Sequence, residues 1–266
     1  RCWHGLLDGV SLWNEALTQE EIRLAGRYRE MGQVAQTLVG FWHFDHKYAS
    51  HAIDVSPNNL HGQFRNLDLI DNIEMTAPSP DQQNALRFSG MEWIEISDKY
   101  TFNIHDDEKH GFTIMMDIAP PAEIPEPMYI VGKQTDAWHA LLLPNRRVRF
   151  RAGEGHPVRI DTTEPLPPDR FTTVTLAYWE EDGNGLAEVC VDGSVDVVVH
   201  GIEGGANFPN NNQPLVIGGF RGIDDIEGVS YLAGVLDNLS IWGRAVPHQE
   251  VLKLTDRNLS GKEIGL

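Results

Sequence analysis

The stretch NRRVRFRAGEGHPVRI, residues 145–160, sets Arg147, Arg149 and Arg151 at alternate positions, with Val148 and Phe150 between them. In a β-strand successive side chains point to opposite faces, so the arginines share one face and the apolar residues the other. Three guanidinium groups would then follow one another at about 7 Å, twice the rise per residue. That spacing suits successive carboxylates or sulfates of an acidic polysaccharide, because each guanidinium is a planar fork of donors. The competing reading pairs them with Glu188 and Asp192, which alternate on the exposed side of LAEVCVDG. Either way the arginines face away from the core.

Aromatic residues are the second group. Trp138 and His139 follow the polar stretch GKQTDA, where Trp138 would offer a sugar-stacking platform, with Arg221 in a neighbouring loop. Trp42, Trp93, Trp179 and Trp242 lie inside strand patterns and read as core. Acids are the third. Asp237 stands within the apolar run AGVLDNLSIW, where a lone carboxylate is costly unless it is paired, hydrogen-bonded or coordinated. Asp54 and Ser56, in DVSPNNLHG, can form a turn by bonding their own backbone, and Asp237 can accept backbone N–H groups. Motifs for other chemistry are missing: there is no H-E-x-x-H, no G-x-S-x-G and no phosphate-cradling glycine loop.

The elements that must position these residues are short. Runs such as TLVGFWHF, ALRFSGMEWIEI, GFTIMMDI, MYIVGK, WHALLL, RVRFRAG, RFTTVTLAYWE, LAEVCVDG, SVDVVVHG, PLVIGG and AGVLDNLSIW carry β-branched or aromatic residues and end near turn formers. This is the texture of an all-β sandwich. EEDGNG is the clearest hairpin turn. Helix signals follow a repeated segment, where Thr18 and Glu21 make a capping box and the helix runs to about Gly32.

That segment occurs twice. Gly5, Leu7, Asp8, Ser11, Trp13, Ala16 and Glu21 recur as Gly234, Leu236, Asp237, Ser240, Trp242, Ala245 and Glu250. A strand and a small helix close one structural unit in each copy. The 266 residues carry 39 acidic against 21 basic side chains, a formal net charge of -18, which disfavours nucleic acid and anionic membranes as partners. No run of about 18 apolar residues would span a bilayer. Cys2 and Cys190 are able to pair, though nothing in their spacing requires it. The chain begins with Arg1 and reads as a processed product or a piece of something longer.

Several ordered pieces carry a family resemblance. FWHFDHKYASHAIDVSPNNLHGQF is similar to an opening W-x-F-D strand and D-x-S-x-N-x-x-G turn, and ALRFSGMEWIEI to an A-L-x-F-x-G strand. RFTTVTLAYWEEDGNGLAEVCVDG is similar to a hairpin ending in V-D-G, and GVLDNLSIWGRAVPHQEV to a closing G-x-x-D-x-x-x-I-W strand. Together they resemble the laminin G-like, concanavalin A-like lectin/glucanase superfamily, in its LamG and pentraxin-type branch. The resemblance implies a jelly-roll sandwich of two antiparallel sheets over residues 38–256, with a short helix after each closing strand. Residues 1–37 would be the closing strand and helix of a preceding LamG-like unit, or an extension imitating one, and 257–266 a tail. It also implies a calcium site using Asp45, Asp54, Asn59 and Asp237, with carbonyls of the Asn58 to Gly62 turn, in a structural role. The carboxylate pattern E-x-D-x-x-E of glucanases with this fold is absent; DNIEM and WIEISD come nearest.

The expectation is an extracellular or cell-surface, non-catalytic module that recognises a glycan or an extracellular protein. The alternative is a structural subunit whose residues 1–37 dock to neighbouring copies of the chain. A polysaccharide-active enzyme ranks last.

Overall fold

The computed structural model describes residues 38–42, 44, 51–54, 56, 58–66, 74–76, 85–98, 111–133, 137–153, 157–203, 212–219 and 229–246. The first strands are β1 (Leu38–Trp42), β2 (His51–Ala52), β3 (Gly62–Arg65), β4 (Glu74–Thr76), β5 (Ala85–Ser89), β6 (Trp93–Ile96), β7 (Gly111–Ala119) and β8 (Met128–Lys133). They are followed by β9 (Trp138–Leu142), β10 (Val148–Ala152), β11 (Val158–Asp161), β12 (Thr172–Glu181) and β13 (Asn184–Val191). The last are β14 (Ser194–Glu203), β15 (Leu215–Ile217), β16 (Ser230–Tyr231) and β17 (Ala233–Trp242).

These strands form two sheets. One has eight strands, in the order β14-β13-β12-β7-β17-β5-β4, with β1 pairing the second half of β17. The other has nine, in the order β11-β10-β9-β8-β15-β6-β3-β2, with β16 on β8. The ladders are antiparallel apart from β16–β8, which is parallel. The sandwich and its two antiparallel layers match the all-β expectation. The helices expected after each closing strand, the duplicated segment in 1–37, its docking role, Cys2 and the 257–266 tail lie outside the described residues.

Alternation explains which side chains fill the interior. Phe112, Ile114, Met116 and Ile118 of β7 and Leu176 and Tyr178 of β12 face Ala140, Leu142, Val148 and Phe150 of the other sheet. At the centre Phe112 lies 5.7 Å from Trp138, 5.5 Å from Phe150 and 6.3 Å from Tyr178 between ring centroids, all tilted. Tilted aromatic rings at such distances gain beyond the area they bury. The four residues join β7 and β12 of one layer to β9 and β10 of the other.

Two hairpins rest on the same dipeptide. Asp182-Gly183 joins β12 to β13 with φ of 50° and 76°, and Asp192-Gly193 joins β13 to β14 with 47° and 74°. Both central residues have positive φ, the tight turn that matches strand twist and favours Asp-Gly. ALRFSGMEWIEI, which reads as one strand, is two: β5 belongs to the eight-stranded sheet and β6 to the nine-stranded one. Gly90, at φ 94°, turns the chain between the layers. Strand propensity is the same on both sides of that corner, so only the turn residue betrays it.

Gly218 closes β15 at φ 79°, its N–H bonded to the Ile130 carbonyl and its own carbonyl accepting from Leu232. A Cβ there would overlap the Phe88 ring. Gly218→Ala therefore combines a left-handed backbone with overpacking and is expected to lower the unfolding free energy by about 2–4 kcal/mol. Urea denaturation should show a lower midpoint at an unchanged m-value.

Candidate functional site

The arginines stand on the edge of the nine-stranded sheet, where β10 and β11 meet. Val148, Phe150 and Ala152 are buried while Arg149 and Arg151 are half-exposed on the other side of β10. In β11 Val158 and Ile160 go inward, and Arg159 and Asp161 outward. The register sets Arg149 opposite Asp161 and Arg151 opposite Arg159. Thr162 locks it: its hydroxyl accepts the Val148 N–H at 3.1 Å, and its own N–H reaches the Val148 carbonyl at 2.9 Å.

The two rungs differ in charge. Arg149 grips Asp161 with a fork, Nε to Oδ1 and Nη2 to Oδ2, each at 2.7 Å. That bond raises the Arg149 pKa, and it is the main cause holding the Asp161 carboxyl below its ordinary range. Arg151 has no such partner among the described residues. Burial, and then the positive charges of Arg149 and Arg159, depress its pKa. Arg147 stands just before β10, close enough for its charge to act on Asp161, and its Nε is buried without a hydrogen-bond partner. Its neighbour Arg146 is structural, donating to the carbonyls of Leu166 and Ala122, each at 3.2 Å.

The expected partners of the arginines are elsewhere. Glu188 is on β13 of the other sheet, and Asp192 accepts the Thr173 N–H at 3.0 Å in the β13–β14 turn. Arg149 is instead neutralised within its own sheet, so the three-arginine ladder is interrupted at its middle rung. Arg159 and Asp161 belong to no motif; their signal in the sequence is the alternation in VRID.

Trp138 does not form a sugar platform. It is 2% exposed and packs on Phe112, because its place in β9 turns it inward. Arg221 lies outside the described residues. Among the tryptophans read as core, Trp42 is fully buried and Trp242 nearly so, whereas Trp93 packs on Tyr231 with centroids 5.5 Å apart and Trp179 is half-buried. Trp93 and Trp179 sit where strand alternation turns them partly outward.

The described members of the implied calcium set have protein partners of their own. Asp45 lies outside the described residues. Asp54 is buried in the turn before β3, where Oδ1 accepts the N–H groups of Phe41 and Ser56, each at 2.8 Å. Its Oδ2 accepts the Leu60 N–H at 2.6 Å and the Ser56 hydroxyl at 2.7 Å. A carboxylate has about four lone-pair sites, and all of Asp54's are engaged. Burial pushes its pKa up, and the donors from Phe41, Leu60 and Ser56 pull it back. This donor set does not fit a calcium ion, which would have to displace one of them. Asn59, at φ 51°, donates its backbone N–H to the Ser56 carbonyl at 3.2 Å, completing the turn. Among the described residues no three His, Cys, Asp or Glu side chains gather as a metal-binding group.

Asp237 serves a different cluster. It stands opposite Asp117 of β7, at a bulge where Asn238 takes φ 47°. The Asn238 amide donates to Asp117 Oδ2 at 2.9 Å and to Asp237 Oδ2 at 3.3 Å, and Thr173 donates to Asp117 Oδ1 at 2.5 Å. Paired carboxylates are the chemistry of glycoside hydrolysis. Here they are 1% and 0% exposed, so the pair is sealed from any substrate. The acids of WIEISD are in ion pairs, Glu95 with Arg65 at 3.1 Å and Asp98 with Lys133 at 2.6 Å, and Asp71 of DNIEM lies outside the described residues.

A sequence profile described as the concanavalin A-like lectin/glucanases superfamily matches residues 94–252. Among solved structures, the binding domain of Paraclostridial mosquitocidal protein 1 is similar at TM-score 0.62 and 14% identity, over 85% of this chain and 53% of that one. Botulinum neurotoxin type C is similar at TM-score 0.60 and 10% identity, over 86% and 53%. Trypanosoma rangeli sialidase, in complex with the inhibitor DANA, gives 0.56 and 16%, over 93% and 39%. At such identities the likeness is one of fold. The chain spans about half the length of the first two structures. No curated protein matches it.

Two outcomes test these assignments. Asp54→Ala strands buried N–H donors and should cost about 3 kcal/mol in chemical denaturation, while a chelator leaves the wild-type melting temperature unchanged. A chelator-induced drop that disappears in Asp54→Ala would return calcium to this turn. For the Arg149–Asp161 pair, the folded carboxyl titrates below its ordinary 3.8. Its stabilisation is therefore present above that pH and lost as pH falls through the folded value. Asp161→Asn should be less stable than wild type at pH 7, by about 1 kcal/mol for a half-buried pair at a sheet edge, and the gap should close on acidification.

Proposed function

The chain belongs to the concanavalin A-like lectin/glucanases superfamily, and from that membership we propose that it is an extracellular carbohydrate-recognition module acting without catalysis. Its ligand is a saccharide bearing carboxylate or sulfate groups, and the binding surface is the outward side of β10 and β11. The observation that carries this reading is the charge there. Among the described residues, four guanidinium groups on the outward side of β10 and β11 face one carboxylate, in a chain whose formal net charge is -18. Structural ion pairing alone would call for acids beside each arginine, and the chain has 39 of them to place.

Among the described residues no helix is long and apolar enough to cross a membrane. A structural likeness supports the class. One structural neighbour, botulinum neurotoxin type C, enters cells through interaction with two ganglioside molecules. The same fold also hosts a sialidase, so absence of catalysis has to be tested by experiment. The buried Asp117–Asp237 pair offers no reachable acid and nucleophile, which supports binding over hydrolysis.

The purified chain should retain acidic oligosaccharides on a glycan array, with binding that weakens as salt rises, since exposed charges are screened over about 8–10 Å at 0.10–0.15 M. Incubation with the same oligosaccharides should release no shorter products. Failure to bind any carbohydrate, or turnover lost on a single acid substitution, would overturn the proposal.

A further inference from the structure

Arg151 and Arg159 are direct cross-strand partners on adjacent antiparallel strands. Side chains so placed have Cβ atoms roughly 4.5–5.5 Å apart, and like charges there are destabilising. The rung beside it shows the ordinary solution, an arginine opposite an aspartate joined by two bonds of 2.7 Å. On its other flank Arg151 faces His139 of β9, which is buried and stacked on Tyr129 with centroids 6.0 Å apart. Neither cross-strand neighbour of Arg151 is therefore an acid. Arg159 is exposed at the edge strand and Arg151 half-exposed beside it, so solvent reaches both side chains.

We propose that the Arg151–Arg159 rung is a subsite for one oxoanion group, a sulfate ester or carboxylate of the bound saccharide, with Arg147 supplying a second contact further along. The inference rests on the glycan-binding reading and narrows it. An oxoanion between the two forks accepts hydrogen bonds from both, which turns a repulsive rung into an attractive one. Asp161 restricts the ligand: it already fills Arg149, and its own charge repels a second anion at the neighbouring rung. The ligand class is thus a saccharide with isolated acidic groups, rather than a chain charged at every residue. A continuous row of three open arginines, which alternation alone suggests, would favour the opposite.

Two measurements separate this subsite from the broader glycan reading. In the first, the full chain is melted with millimolar sodium sulfate or with sodium chloride at matched ionic strength. Sulfate should raise the wild-type melting temperature by about 2–4 °C over chloride, and Arg151→Gln or Arg159→Gln should abolish that difference. In chloride alone, Arg159→Gln should melt above wild type, because it removes the like charge. Arg159→Lys keeps the charge but loses the fork, so it should melt like wild type and respond less to sulfate. In the second, calorimetric titration with mono-sulfated, uronate-bearing and neutral oligosaccharides should show at least tenfold weaker binding of one acidic class in either Gln variant. The class affected distinguishes sulfate ester from carboxylate.

If Arg159→Gln melts lower in chloride and the sulfate response persists, the subsite is refuted. If acidic saccharides bind wild type and both Gln variants equally, the glycan reading stands and the subsite falls. If sulfate stabilises wild type alone while no saccharide binds, the oxoanion subsite stands and the glycan reading falls.

Discussion

Val148, Phe150 and Ala152 on β10, with Val158 and Ile160 on β11, are buried in the interior between the sheets, and that packing dictates the position of every charge on the outer edge. Side chains alternate, so a strand with those residues inward must carry Arg149, Arg151, Arg159 and Asp161 outward. A slip of one residue would drive four charged groups into the core, at a cost no pairing there could offset. Phe150 is anchored further by Phe112 from the facing layer. The charged surface is thus held by an apolar constraint on its reverse side.

The same constraint explains what happens to the acids. The central strands β7, β8 and β9 are buried along their whole length, as is most of β12. Polar groups trapped there must satisfy one another. Asp117, Asp237, Asn238 and Thr173 do so around the bulge in β17, and Lys133 does so with Asp98. At the corner between β5 and β6, Glu92 accepts the Ser89 hydroxyl at 2.6 Å and the Met91 N–H at 3.2 Å. Asp54 holds β1 to the turn before β3 in the same manner. These acids therefore serve as internal fastening, and the basic edge stands out against them.

A sandwich of this kind is a frame that binding proteins and enzymes share, so function has to be argued from a site. Two features on this frame look chemical when read as residue types: a pair of carboxylates and a cluster of arginines. Burial separates them. The carboxylates face each other with no access from solvent, while Arg159 is exposed and Arg151 half-exposed at an edge, on a rung that sets two like charges side by side.

Much of the architecture was legible before any coordinates. Strand after strand followed from β-branched alternation, and Asp-Gly marked both tight hairpins because positive φ at two successive positions suits little else. The outward direction of Arg149 and Arg151 followed from Val148 and Phe150 alone. Other assignments needed partners that lie far apart along the chain. Trp138 reads as a loop-edge aromatic until β8 and β10 flank it and Phe112 closes over it; Asp54 reads equally as a turn acid or a metal ligand, and its donor from Phe41 lies 13 residues away. The split of ALRFSGMEWIEI between two sheets and the pairing of Arg149 with Asp161 rather than Glu188 belong to the same class. Local residue types determine which face a side chain occupies, because the strand period is a property of the backbone. Which strand lies beside it is set by long-range packing, and on this edge the neighbour decides whether an arginine is neutralised or left to bind.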